Sequence, residues 1–132
     1  MSLSTASILK DGTIGVTGGT ATAFTRISGD NTSAKASFDG TGFLSRSEGV
    51  FSVKSPKPSA SSPDGYTQAR RVVLVKRPKV LANGSLTYDT VKIEISRSVE
   101  TTAAELATHK GIASQILSDA DFDAFWDDGS LD

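Results

Sequence analysis

The chain has 132 residues, of which 37% are hydrophobic and none is cysteine, and its formal net charge is −1. This is the size of one ordinary domain, and the lack of cysteine excludes disulfides and thiolate metal sites as sources of stability. No apolar run approaches the roughly 18 residues that a membrane helix needs. We therefore expect one soluble domain spanning residues 1–132, with no membrane partner.

The small net charge conceals an uneven distribution along the chain. Residues 1–45 are balanced, with three basic and three acidic residues. Residues 46–97 carry ten basic and four acidic residues, whereas residues 98–132 carry Lys110 alone against eight acidic residues. Such asymmetry favours one surface that meets a polyanion and another that repels it or stays in water. The alternative is that the charges are scattered and only keep the protein in solution.

The first forty residues show the patterns of a hairpin and two strands. Asp11-Gly12 stands between the apolar stretches 7–9 and 13–16, and this dipeptide favours a tight hairpin because glycine accepts positive φ without steric cost. Two strands are predicted next from alternating patterns, at Ala21–Ile27 and, more weakly, at Ala34–Phe38.

Three further strands follow in the basic part of the chain. They are predicted at Val50–Lys54, Tyr66–Arg77 and Leu86–Val99. A proline-rich loop separates the first two, and Pro78 is expected to end the second because proline cannot donate a ladder hydrogen bond. Asn83-Gly84 predicts a two-residue turn before the third.

A period of two residues gives these strands one apolar and one polar face. In the last strand Val91, Ile93 and Ile95 share the apolar face. The polar face is predicted to carry Ser52, Lys54, Tyr88, Thr90 and Lys92. A broad polar and basic sheet face with one aromatic ring suits nucleic acid.

The acidic last third has helical periodicity. Thr102 and Glu105 have the spacing of a capping box and predict the start of a helix, and Ser118 or Asp119 can cap a second, short helix. The apolar positions of both helices are Leu106, Ala113, Ile116, Leu117, Phe122, Phe125 and Trp126. Strands followed by helices predict an α+β fold in which the helices cover one face of an antiparallel sheet.

Residues for catalysis or metal binding do not form a recognisable pattern. His109 is the only histidine and lies within the predicted helix, no histidine–carboxylate spacing suits a metal, and no glycine-rich phosphate loop is present. We therefore predict no catalytic residue, no metal site, no cofactor and no enzyme activity. An enzyme with a pair of carboxylates drawn from Asp89, Glu94 and the C-terminal acidic residues is the catalytic alternative, and a deep pocket around Glu94 with a second carboxylate would favour it.

Basic clusters and one tyrosine are the candidates for nucleic-acid contacts. Arg70-Arg71 and Lys76-Arg77 either form a basic patch or are the solvated ends of a buried strand. Tyr88 either stacks on a base, a contact worth about 1–3 kcal/mol in known stacking platforms, or packs against a neighbouring strand.

In their order and spacing these elements resemble the coat protein of the single-stranded RNA bacteriophages, the leviviruses. The resemblance rests on Ser52-Val53-Lys54-Ser55, Val72 to Val75, Pro78-Lys79-Val80, Asn83-Gly84, Thr87 to Ile93 and Thr102 to Leu117. It covers about the last ninety residues well and the first forty by pattern only.

The resemblance implies one coat-protein domain over residues 1–132, with an N-terminal β-hairpin and a five-stranded antiparallel sheet in 1–100. Two C-terminal helices in 101–132 then pack on the sheet of a dimer partner. The protein would be an obligate homodimer that assembles into an icosahedral capsid and packages single-stranded genomic RNA, with repression of translation through an RNA hairpin as a further expectation. Its location would be the virion, assembled in the cytoplasm of a bacterial host. The alternative is a non-capsid module that binds single-stranded RNA.

The resemblance also assigns site residues. Those expected to bind RNA are Ser52, Lys54, Arg70, Val72, Leu74, Lys76, Tyr88, Thr90 and Lys92. Those expected at the dimer interface are Leu106, Ala113, Ile116, Leu117, Phe122 and Trp126. Val72 and Leu74 occupy positions that are usually polar in the family, so either the strand register is shifted by one residue or RNA is recognised less specifically.

Overall fold

The computed structural model describes residues 4–12 and 15–131, which fall into two compact units. One unit comprises residues 19–100, and the other combines the N-terminal segment up to residue 18 with the chain from residue 101 onward. The single domain over residues 1–132, with its division after residue 100, stays a prediction.

Unit 19–100 is a five-stranded antiparallel sheet in which strands adjacent in sequence are adjacent in space. The strands are β1 Thr25–Gly29, β2 Ser33–Phe38, β3 Ser47–Lys54, β4 Ala69–Val80 and β5 Leu86–Arg97. The predicted α+β class and the five-stranded antiparallel sheet are therefore confirmed.

Two of the strand boundaries that differ from the prediction show how a partner strand decides where a strand begins or ends. β1 begins at Thr25 rather than Ala21, since β2 ends at Phe38 and Thr25 already pairs with Ser37 near that end. β4 continues through Pro78, contrary to the prediction that proline ends it. Pairing of β4 with β3 stops at Lys76, so the stretch around Pro78 has a neighbour on only one side, where a residue without an N–H is tolerated.

The turn between β4 and β5 is one residue longer than predicted. Gly84 N donates to Leu81 O at 2.9 Å and Leu81 N donates to Ser85 O at 2.8 Å, so the loop comprises residues 82–84. Gly84 has φ 85°, the left-handed conformation that closes a three-residue hairpin loop. Asn83 supports the loop by accepting from Ser85 N at 2.9 Å.

The C-terminal chain forms α1, Ala103–Ser118, then a 3-10 turn at Ala120–Phe122 and α2, Asp123–Asp128, which confirms the two predicted helices. Thr102 caps α1 as expected, because its Oγ1 accepts from Glu105 N at 3.2 Å and donates to Glu105 Oε1 at 3.1 Å. Asp119 starts the second segment by accepting from Asp121 N at 2.9 Å. Neither helix is long and apolar enough to cross a membrane.

The predicted N-terminal hairpin is only partly within the described residues. Gly12 N donates to Leu9 O at 3.0 Å, and Asp11 has φ 62°, so a tight turn stands at the predicted place. Thr13 and Ile14 lie outside the described residues, and the hairpin stays a prediction.

A buried glutamine fastens this turn to α1. Gln115 is 9% exposed, its Oε1 accepts from Leu9 N, and its Nε2 donates to Leu9 O, both at 2.6 Å. Asp11 adds a second link between the turn and α1, because its carboxylate accepts a hydrogen bond from Thr108 Oγ1 at 2.7 Å. Gln115 thus pairs with Leu9 as a neighbouring strand would, which satisfies two backbone groups that lack a strand partner.

Replacing Gln115 by leucine is expected to release the N-terminal segment. The change leaves the N–H of Leu9 unpaired, which costs about 1–3 kcal/mol for a part-buried group, whereas the C=O of Leu9 keeps its bond from Gly12 N. Amide exchange at Leu9 should accelerate, and trypsin should cut faster after Lys10. Ser114→Ala is the matched control, since the Ser114 hydroxyl bonds only Lys110 O of its own helix. Equal exchange at Leu9 in both variants would contradict this role of Gln115.

The sheet has almost no core of its own. Among the described residues the only buried apolar side chains are Ala36 and Ala69. Several large apolar residues of β3 and β5 are substantially exposed: Phe51 at 41%, Val53 at 41%, Val91 at 49% and Ile93 at 40%. Contiguous exposed apolar patches often mark interaction sites.

Candidate nucleic-acid interface

The strand register places all nine residues expected to bind RNA on one face of the sheet. Residues directly opposite each other in an antiparallel ladder share a face, and so do alternate residues of one strand. The pairs that connect the set are Ser52 with Val72, Lys54 with Arg70, Leu74 with Lys92, Lys76 with Thr90, and Pro78 with Tyr88. We call this surface the basic face.

The register places Val72 and Leu74 on the basic face, where both are half-buried. Their side chains have no hydrogen-bonding atom. The centre of the basic face therefore presents methyl groups, and the polar and charged groups surround them.

The basic face carries five cations against two carboxylates. The cations are Lys35, Lys54, Arg70, Lys76 and Lys92, and the carboxylates are Glu48 and Glu94. Glu94 lies 3.7 Å from Arg70 Nε, and Glu48 lies 3.0 Å from Lys35 Nζ. Within residues 4–12 and 15–131, no carboxylate lies within ion-pair distance of Lys54, Lys76 or Lys92. Three ammonium groups are thus available for an external anion.

Glu48 is held in its ionised form. The hydrogen bond from Lys35, with a second from Arg46 Nε at 3.1 Å, keeps the pKa of Glu48 below its usual value despite partial burial, which acts in the opposite direction. Lys35 and Arg46 therefore stay anchored at neutral pH.

Two hollows open on the basic face. One, of about 310 Å³, is lined by Ser52, Val53, Lys54, Arg70, Val72, Lys92 and Glu94, and all but Val53 and Glu94 belong to the expected RNA set. The other, of about 170 Å³, is lined by Lys35, Phe43, Arg46, Glu48, Lys76 and Tyr88. In the second hollow Lys76 Nζ lies 5.9 Å from the centroid of the Tyr88 ring, a cation–π distance.

Four residues of the smaller hollow, Lys35, Phe43, Arg46 and Glu48, were not identified from the sequence as site residues. Lys35 was detectable in principle, because Ser33, Lys35 and Ser37 alternate with apolar residues in the weakly predicted second strand. Phe43 and Arg46 belong to an irregular loop without periodicity, and only the folded chain brings them to Tyr88.

The opposite face of the sheet is apolar at its centre. It contains Phe51, Val53, Val73, Val75, Val91, Ile93 and Ile95. Charged residues such as Arg77 and Asp89 lie toward its margin. We call this surface the apolar face.

The residues expected at the dimer interface lie along α1 and its continuation. At about 100° per residue, Leu106, Ala113 and Leu117 fall within about 40° of one another on α1, opposite Gln115 and its bonds to the N-terminal turn. Ile116 lies beside this stripe, and Trp126 Nε1 donates to Ile116 O at 2.8 Å. The remaining member, Phe122, is half-buried in the 3-10 turn.

Leu117 and Trp126 are each 50% exposed. The side of α1 away from the N-terminal turn therefore has uncovered apolar surface.

The surroundings of Glu94 do not favour the catalytic alternative. Glu94 faces a hollow whose other lining residues are neutral or basic, and its ion-pair partner is Arg70. Within the described ranges no group of three or more histidine, cysteine, aspartate or glutamate side chains is placed to hold a metal ion. A hollow of about 710 Å³ lies elsewhere, and there Asp64 accepts a short hydrogen bond from Ser98 Oγ that lowers the pKa of Asp64.

Comparison with solved structures shows which proteins share this arrangement. The chain is similar to the virus-like particle protein of bacteriophage GQ-907, with 23% identity, a TM-score of 0.87 and coverage of 99% of this chain and 100% of that one. It is also similar to that of bacteriophage AVE019, with 9% identity, a TM-score of 0.65 and coverage of 83% and 86%. For Beihai levi-like virus 21 the identity is 15%, the TM-score 0.62 and the coverage 87% and 91%.

No protein-family model matches the chain, and no curated protein matches it either. The solved structures therefore agree closely with this chain in fold although they share little sequence identity with it. The resemblance to the coat proteins of single-stranded RNA phages is confirmed at the level of the fold: this chain shares the fold of the GQ-907 particle protein over 99% of its length and that of the other two over 83% and 87%.

Proposed function

We propose that this protein is a structural subunit of a phage capsid, which pairs into homodimers, assembles into an icosahedral shell and packages single-stranded RNA on its inner face. The observation that carries the proposal is the structural match to the GQ-907 particle protein, with a TM-score of 0.87 over 99% of this chain and 100% of that one.

Dimerisation accounts for two uncovered apolar surfaces. The apolar face of the sheet and the stripe of Leu106, Ala113 and Leu117 on α1 each need a partner, because large exposed apolar patches are unfavourable in water. In the proposed dimer the helices of one subunit lie on the apolar face of the other. Because Ala36 and Ala69 are the only buried apolar residues in the described ranges, the dimer is obligate in this proposal.

RNA packaging accounts for the basic face. With the apolar face under the partner's helices, the basic face is the one left for the interior of the shell. Lys54, Lys76 and Lys92 would neutralise phosphates and release counterions, so binding would weaken as salt rises. The acidic helical segment, which carries Lys110 alone against eight acidic residues, would face away from RNA.

We propose packaging with low sequence specificity as the main RNA function. Val72 and Leu74 at the centre of the basic face offer no hydrogen bonds to base edges, which are the contacts that specify sequence. Tyr88 can stack any base. Translational repression through one RNA hairpin is a second and less supported role. The protein would be located in the virion after assembly in the cytoplasm of its bacterial host.

A module that binds single-stranded RNA outside a capsid is the competing function, since it would also need a basic face. Shell formation separates the two, and the fold favours the shell.

The test is the behaviour of the purified recombinant protein in size-exclusion chromatography with light scattering, negative-stain imaging and the 260/280 nm absorbance ratio. We expect uniform spherical particles with a nucleic-acid spectrum. A monomer free of nucleic acid across protein and salt concentrations would overturn the capsid proposal. A dimer that binds RNA and never forms shells would favour the RNA-binding module.

A further inference from the structure

We propose that Phe43 and Arg46, in the loop between β2 and β3, extend the RNA-binding surface and form with Tyr88 and Lys76 a subsite for one unpaired nucleotide. The base would stack on the aromatic rings, and its phosphate would meet the cations. The inference rests on the proposed RNA-packaging function and adds residues to it that the sequence pattern did not indicate.

Size and lining suit a single base. Phe43, Arg46 and Tyr88 line one hollow of about 170 Å³ on the basic face. This is well below the roughly 300–1,000 Å³ of sites for drug-sized ligands, so the hollow accepts a fragment such as one ring system. Phe43 is 77% exposed and Tyr88 45% exposed, which leaves ring surface on both residues for a ligand.

Each ring is paired with a cation. Arg46 Cζ lies 5.4 Å from the centroid of the Phe43 ring, and Lys76 Nζ lies 5.9 Å from that of Tyr88. Proteins that bind single strands without sequence preference use this combination, in which aromatic rings stack bases and cations follow the backbone.

The hollow has an excess of positive charge. Its lining includes three cations, Lys35, Arg46 and Lys76, and one carboxylate, Glu48. Glu48 bonds Lys35 and Arg46 and so fixes their positions, but it neutralises only one charge. A phosphate therefore finds a preorganised site in which two cations have already been held in place.

The loop that carries Phe43 is anchored at both ends. Arg77 Nη2 donates to Asp39 Oδ2 at 2.8 Å where the loop begins, and Arg77 Nε donates to Ser47 Oγ at 3.3 Å just beyond its end. Within the loop, the carbonyl of Gly42 accepts from Ser45 N at 3.1 Å and from Arg46 N at 3.0 Å. Phe43 is thus presented by a defined turn.

Phe43 also lines a second hollow, which offers a competing role for this residue. With Leu44, Val80 and Leu86 it lines an apolar hollow at the end of the sheet, where a neighbouring subunit could pack. Leu44 is 61% exposed and lines only this apolar hollow. Leu44→Ala is therefore a matched control that affects the apolar hollow and leaves the subsite intact.

The experiment measures affinity of the unassembled full-length protein for two probes, a short unstructured RNA and an abasic strand of the same length. Phe43→Ala is expected to weaken RNA binding roughly tenfold, as loss of one stacking contact does, and to leave binding of the abasic strand unchanged. Phe43→Trp should retain affinity and Phe43→Leu should not, because stacking needs an aromatic ring. Arg46→Gln should weaken the binding of both probes and reduce the slope of log affinity against log salt concentration by about 1.

Tyr88→Ala separates failure of the inference from failure of the proposed function. Suppose that Tyr88→Ala weakens RNA binding, whereas Phe43→Ala and Leu44→Ala bind RNA as tightly as the wild type. This result would overturn the subsite but leave the packaging proposal intact. Absence of salt-dependent RNA binding in the wild type would overturn both. Equal loss of RNA affinity in Phe43→Ala and Leu44→Ala would assign Phe43 to a subunit contact and overturn the subsite.

Discussion

Replacing Ile93 by aspartate is expected to leave the protein without its dimer and largely insoluble. Ile93 stands in β5 on the apolar face and pairs with Val73. If the partner's helices cover this face, the new carboxylate is buried without a partner at a cost of roughly 3–5 kcal/mol or more. That cost is comparable with the whole stability of a domain, about 5–15 kcal/mol. Size-exclusion chromatography with light scattering, together with the soluble fraction on expression, measures the effect.

A large effect would indicate that a partner covers Ile93, because this side chain is 40% exposed in the chain alone. A surface substitution in a lone subunit would change stability by about 0.5 kcal/mol or less. Thr90→Asp is the matched control, since it introduces the same charge in the same strand on the opposite face and should keep the dimer. Phe122→Asp tests the helical side of the same interface and should also abolish the soluble dimer. Soluble, wild-type dimer from Ile93→Asp would contradict the proposed interface.

Reversing the charge of both Lys54 and Lys92 is expected to produce shells that are nearly free of RNA. Both lysines line the larger hollow of the basic face, and among the described residues neither has a carboxylate within ion-pair distance. Lys54→Glu with Lys92→Glu removes two phosphate contacts and adds repulsion, so RNA affinity should fall on the order of 100-fold at moderate salt, and the slope of log affinity against log salt should flatten by about 1–2. The 260/280 nm ratio of purified particles and a salt titration of RNA binding measure both effects.

A control with the same charge change elsewhere isolates the contribution of the basic face. Lys10→Glu with Lys110→Glu alters two exposed lysines of the N-terminal and helical unit, which is not expected to face RNA. This variant should keep its RNA content. Equal RNA loss in both double variants would indicate that net charge alone governs packaging and would remove the special role of the basic face.

The sequence by itself determined the features that depend on neighbouring residues. Thr102 and Glu105 marked the start of α1, because a capping box acts within one turn of the chain. The alternation in β5 separated Val91 and Ile93 from Tyr88 and Lys92, because the two-residue period of a strand is local. The fold class followed from the order of these elements, and it is confirmed.

Only the tertiary structure decided the features that depend on which segments meet. Pairing of β3 with β4 settled that Val72 and Leu74 lie on the basic face, since register is a property of two strands and not of one. The end of that pairing at Lys76 allowed β4 to continue through Pro78. Phe43 reached Tyr88 through an irregular loop held by distant residues, and no local period encodes such a contact. Local periodicity thus assigned residues to faces, and long-range pairing assembled those faces into a surface with two hollows.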